Sequence, residues 1–175
     1  AQVPVLILGG ATATVLKGSG SLQDIDHIAL VESITKLAIS VKKVRDIQIT
    51  IERAIVTASS GVPGPVYVEL PVDILYPESI VREWYGLKSA SRAMPWWLTR
   101  YLGWNVDRIF KDKDRSNYPP SGRTEIIKPA AMHIERVFEL LSHARKPILL
   151  IGSQAMKNPE QNSSLVKAVK ILNIP

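Results

Sequence analysis

The chain has 175 residues, enough for one domain or parts of two, and its hydrophobic (46%) and charged (22%) fractions are ordinary for a globular protein. It has no cysteine, which excludes disulfides and thiolate metal sites, and no apolar run near the roughly 18–20 residues of a membrane span. The net charge is +6, but the densest basic group, Lys111-Asp112-Lys113-Asp114-Arg115, alternates with acids, so a solvated turn is expected there and no nucleic-acid partner.

Residues 4–8 (Pro-Val-Leu-Ile-Leu) form an apolar run closed by Gly9-Gly10, the pattern of a buried parallel strand. Residues 9–20 are mostly small and read as a loop. Ser21 with Asp24 three residues on resembles a capping box, which predicts a helix opening at Ser21 with Ile25, Ile28, Ala29 and Ile34 at helical spacing. Residues 37–41 predict a second strand. Val44, Ile47, Ile51, Ala54, Ile55 and Ala58 then recur on one helical face, and glycine and proline at 61–64 end that helix.

Residues 65–70 (Pro-Val-Tyr-Val-Glu-Leu) predict a third strand, broken by Pro71-Val72-Asp73. Residues 76–128 change character: they hold all four tryptophans, several prolines and mixed charge, and predict an interdomain connector with one short helix at 96–110. Residues 129–144 predict a helix with Ile134, Val137, Phe138 and Leu141 on one face. Lys146-Pro147 leads into a buried strand at 148–151, and Leu165, Ala168, Val169 and Leu172 mark a last helix. Alternating helices and strands predict an α/β fold with parallel sheets and flanking helices. The start at Ala1-Gln2, directly before a strand, and the stop at Pro175, after a helix, predict a piece of something longer.

Two stretches carry a family resemblance. The first runs from Gly9-Gly10 through the loop to Leu22-Gln23-Asp24, then to the Ser-Gly-x-Pro-Gly-Pro-Val run ending at Val66 and to Val68-Glu69-Leu70-Pro71-Val72-Asp73. The second is residues 144–155 (Ala-Arg-Lys-Pro-Ile-Leu-Leu-Ile-Gly-Ser-Gln-Ala). In order and spacing the chain resembles thiamine-diphosphate-dependent enzymes of the acetolactate-synthase-like/2-hydroxyacyl-CoA-lyase group. The resemblance implies the C-terminal part of a pyrimidine-binding domain at 1–76, a Trp/Pro-rich connector at 77–128 and the start of a Rossmann-like central domain at 129–175.

It also implies a function: a fragment, inactive alone, of a lyase that cleaves a carbon–carbon bond of a 2-hydroxyacyl-CoA to formyl-CoA and a shortened aldehyde. An acetolactate-synthase-type carboligase and a non-catalytic binding or scaffold module are the alternatives. The implied cofactors are thiamine diphosphate and Mg2+ in the full-length parent, with FAD or ADP in the central domain left open. In such enzymes the activating glutamate lies upstream of the matched segment, and no Gly-Asp-Gly occurs here, so this chain carries no catalytic residue and no metal ligand. Gln23 is the implied substrate-channel residue, and Gly9 and Gly10 the implied cofactor-adjacent ones. Glu32, Glu52, Glu69, Glu78 and Glu83 read as surface or capping carboxylates, and Gly152, without a G-x-G-x-x-G around it, as structural.

Val72 stands where acetohydroxyacid synthases carry lysine, and residues 11–15 lack their basic residue, which tilts the reading toward the lyase and an acyl-CoA substrate. His27, His133 and His143 are far apart on predicted helices and read as ordinary helix residues. The aromatic segment 94–110 is either a helix packed on protein or one lying in a membrane surface. A homo-oligomeric parent at the endoplasmic reticulum membrane is expected, with cytoplasmic or mitochondrial location as the alternative.

Overall fold

In the computed structural model, which describes residues 2–22, 24–88, 94–114, 128–156 and 159–174, one parallel sheet is formed by β1 (Val5–Ala11), β2 (Ala38–Ser40) and β3 (Pro65–Pro71). The order is β1-β3-β2: Val5 lies against Pro65, and Ala38 against Tyr67. Parallel neighbours need long crossovers. The first contains α1 (His27–Val31) and a 3-10 turn at Glu32–Ile34; the second contains a turn at Val44–Asp46 and α2 (Ile47–Ser59).

The chain forms two units, 1–126 and 127–175. In the first, β3 is buried on both faces, which is why it reads as an almost unbroken apolar run. Ala54 and Ala58, one turn apart on α2, join Val66 and Val68 in the core. Lys36 donates to the carbonyls of Thr57 and Ser60, each at 2.6 Å, and so satisfies acceptors that the end of α2 leaves open.

The expected connector contributes to the same core. It contains two helices, α3 (Glu78–Trp84) and α4 (Trp96–Phe110), where one was expected. Val81 from α3 and Val106, Ile109 and Phe110 from α4 are buried with the strand residues. Arg82 ties the two helices by pairing with Glu78 at 2.9 Å and with Asp107, and Lys113 adds a bond to Glu78 at 2.7 Å. The other side of α4 leaves Trp96, Trp97, Tyr101 and Trp104 exposed.

Two local expectations are corrected. β1 runs through Gly9-Gly10 to Ala11 and does not stop at the glycines. No helix opens at Ser21: α1 begins at His27, capped by the Asp26 carboxylate, which accepts from the Ala29 N–H at 3.1 Å. The expected capping partner Asp24 instead accepts from the amides of Gly18 (3.0 Å) and Gly20 (2.9 Å). Both glycines have positive φ, +80° and +71°, which curls the loop so that its amides face that carboxylate.

The second unit holds α5 (Ala131–His143), a 3-10 turn at Ser153–Met156 and α6 (Pro159–Leu172). None of its described residues is buried. Ile134, Val137, Phe138 and Leu141 of α5 line an apolar groove of about 580 Å³ with Ile171 and Leu172 of α6. Residues 148–151 form no strand, contrary to expectation. A strand needs a neighbour for its N–H and C=O groups, and the described residues of this unit supply none.

Candidate functional site

Ligands of open α/β sheets bind beyond the carboxyl ends of the strands. Here that edge is formed by Ala11, Ser40 and Pro71, where the 12–26 loop leaves β1. Two carboxylates stand at it. Glu69, in register with Gly9 and Ser40, has a side chain only 1% exposed. Its Oε2 accepts from Lys17 Nζ at 3.2 Å, and its Oε1 lies 3.1 Å from His27 Nδ1. Burial pushes the Glu69 carboxyl up, but the Ser40 hydroxyl, His27 and Lys17 together outweigh burial and hold it below the ordinary glutamate value.

Asp73, in the turn Val72–Ile74, is fully buried. Its Oδ2 accepts from the Thr14 backbone N–H at 2.9 Å, from the Thr14 hydroxyl at 2.5 Å and from the Tyr85 phenol at 3.0 Å. Burial, and then the Asp73 charge, push the Tyr85 phenol far above its usual range. The Thr12 and Ser21 hydroxyls meet at 2.8 Å across the base of the loop.

The two glycines differ. A Cβ on Gly9 would lie 2.0 Å from the Tyr67 phenolic oxygen, so Gly9 makes room for a buried ring on the neighbouring strand. A Cβ on Gly10 would meet nothing within 4 Å. Gln23 lies outside the described residues.

Glu69 is the residue that pattern reading missed. It was expected at the surface or in a cap, yet it is buried and holds two basic side chains. His27, expected to be an ordinary helix residue, is one of its partners, while His143 bonds locally, Nδ1 lying 2.8 Å from the Glu139 carbonyl. A charge inside Val-Tyr-Val-Glu-Leu, a strand buried on both faces, was the available signal, because such charges are rarely buried unpaired.

Chemically, the edge offers hydrogen-bonded carboxylates whose engaged oxygens already hold protein donors, and an open glycine backbone. No group of three His, Asp or Glu residues among the described residues is arranged to hold a metal ion. The space beside Gly10 is open.

No family model matches the chain. Over its whole length it is similar to proteins named 2-hydroxyacyl-CoA lyase 2, at 41% identity over 180 residues in Bos taurus and 40% over 176 residues in Caenorhabditis elegans. Each match takes in 100% of this chain and 28% of the relative. The mitochondrial acetolactate synthase of Schizosaccharomyces pombe is 31% identical over 172 residues, 98% of this chain and 22% of that protein. The chain thus spans 28% of the length of the lyases that it matches. Both kinds of relative depend on thiamine diphosphate, as the motif resemblance implied.

Proposed function

We propose that this chain, related along its whole length to the thiamine-diphosphate-dependent 2-hydroxyacyl-CoA lyases and acetolactate synthases, is part of a 2-hydroxyacyl-CoA lyase. The full-length protein would cleave the substrate to formyl-CoA and an aldehyde one carbon shorter. Residues 1–76 would close the pyrimidine-binding domain, 77–128 would join it to the central domain, and 129–175 would begin the latter. The observation that carries this reading is the 34–41% identity to the lyases across the whole chain, against 31% to the synthase.

The loop chemistry supports it. Lys17 is the one cation in residues 11–22, and its ammonium is held by Glu69. A carboligase that takes a free 2-keto acid gains from an unpaired cation for the substrate carboxylate, and this loop presents none among its described residues.

Bound thiamine diphosphate supplies the carbon nucleophile and electron sink of such reactions. This chain's part would be to shape the edge: Gly10 would leave room for the ring, Gly9 makes room for Tyr67, and the family resemblance gives Gln23 the substrate-channel role. Mg2+ would be held by residues outside the described ones. The test is turnover by the full-length protein. Formation of formyl-CoA from a 2-hydroxyacyl-CoA, with no acetolactate from pyruvate, is expected. Acetolactate without formyl-CoA would make it a carboligase, and no cofactor-induced rise in melting temperature would make it a binding or scaffold module.

A second reading concerns location. Trp96, Trp97, Tyr101 and Trp104 are each more than half exposed on α4, and Arg100 lies among them. Among the described residues no helix is long and apolar enough to cross a membrane. An aromatic face with adjacent arginines suits the head-group region instead, consistent with a homo-oligomeric enzyme resting on the endoplasmic reticulum membrane. Sedimentation with anionic vesicles is expected, and its survival in Trp97→Ala/Trp104→Ala would overturn this contact.

A further inference from the structure

The carboxyl edge contains one arrangement that the proposed chemistry leaves unused. Glu69 and Asp73 are both buried, and both reach the same stretch of chain. Asp73 holds Thr14 through its backbone N–H and its hydroxyl. Glu69 holds Lys17 on one oxygen and His27, at the start of α1, on the other. Between these anchors the Thr12–Ser21 bond closes the base of the loop, and Asp24 gathers the amides of Gly18 and Gly20.

Exposure differs sharply across this set. The Glu69 side chain is 1% exposed, while those of Lys17 and His27 are 49% and 22% exposed. The fixed member is thus in the sheet, and the held members are on the loop. Burying a carboxylate is costly unless its partners are placed to meet it. A mobile loop would leave Glu69 with the Ser40 hydroxyl alone and no positive partner, so the buried charge favours one loop position over others.

We propose that Glu69 is a positioning residue: with Asp73 it clamps Thr14, Lys17 and His27 against the carboxyl edge, so that the loop wall facing the substrate is formed before the substrate arrives. This inference rests on the reading of the chain as part of a lyase. Both Glu69 oxygens already hold loop side chains, so its assigned part is to place the loop.

The test uses the full-length enzyme with Glu69→Gln, Lys17→Met and His27→Gln. In Glu69→Gln, kcat/KM for a 2-hydroxyacyl-CoA falls about 10- to 100-fold, the scale of a small misplacement near a reacting centre. The loss lies mainly in KM, and thiamine diphosphate affinity is unchanged. Hydrogen exchange rises in residues 12–27 and not in α2. Lys17→Met and His27→Gln each give part of the effect and add nothing in the Glu69→Gln background.

Wild-type KM in Glu69→Gln, or unchanged exchange in residues 12–27, overturns the proposal. So does a loss confined to kcat, which would point to direct chemistry. Should Glu69→Gln fail to fold, the Lys17→Met/His27→Gln double variant decides by the same readouts. A wild-type protein with neither cofactor binding nor turnover would sink the lyase reading, while the exchange experiment still judges the clamp.

Discussion

The two units contain helices of the same kind and put them to different use. In the first, Ala54 and Ala58 of α2 and Ile109 of α4 are buried around the strand residues Val66 and Val68. In the second, Ile134, Val137 and Phe138 repeat at the same helical spacing on α5 and remain 45–65% exposed. Periodicity gives a helix an apolar face, but burial of that face needs a second surface. Unit 1 has its sheet, whereas residues 148–151, apolar as they are, have no strand beside them among the described residues.

Replacement of core residues tests this contrast most severely. Ile109→Ala should cost about 2–5 kcal/mol, read as a fall in the urea midpoint of the sheet-bearing unit. Phe138→Ala, a larger truncation on an exposed face, should change stability by about 0.5 kcal/mol or less. Equal losses would show that α5 is as well packed as α4 and would break the comparison.

A smaller effect separates adjacent residues within unit 1. Gly9→Ala drives a methyl group into the Tyr67 phenol and should cost about 1–3 kcal/mol by overpacking. Gly10→Ala meets open space and should stay within about 0.5 kcal/mol. Equal melting temperatures for the two variants would mean that Tyr67 yields at no cost.

Acid sharpens the contrast further. Glu69 is held below its ordinary value of 4.5 because Ser40, His27 and Lys17 outweigh burial, and Glu78 is held low by Lys113 and then Arg82. A carboxylate depressed in the folded state contributes its stability above the unfolded pKa and loses it as pH falls through the folded one. The melting temperature of unit 1 should therefore hold from neutrality to about pH 5 and decline below it. Glu69→Gln should be less stable at pH 7 and lose less on acidification, and an unchanged acid slope would remove Glu69 from the account. The smallest effect belongs to the exposed pair Arg136–Glu139 on α5. Arg136→Ala should cost about 0.2–0.5 kcal/mol at low salt, and the loss should vanish at high salt.

Most elements were legible because their signals are local. Apolar runs marked β1 and β3, and helical spacing with a Gly/Pro ending marked α2. The misplaced start of α1 shows the limit: Ser21 and Asp24 have the spacing of a cap, but the positive-φ glycines at 18 and 20 draw the Asp24 carboxylate backward. Glu69 was misjudged for a different reason. Its partners Lys17 and His27 are 52 and 42 residues away in sequence, and only the β1-β3-β2 order brings them together. For the same reason, nothing in the spacing of 77–110 announced that α3 and α4 would complete the core.

The central place of β3 also governs how this region is made. β1 and β2 do not pair with each other, and Val5 must wait for Pro65, 60 residues later, to find its neighbour. During synthesis at about 5–20 residues per second, β1 is therefore out of the ribosome for several seconds before its β3 partner follows. Val106, Ile109 and Phe110 arrive later still. Until β3 follows, the side of residues 5–11 that pairs with it lacks that partner.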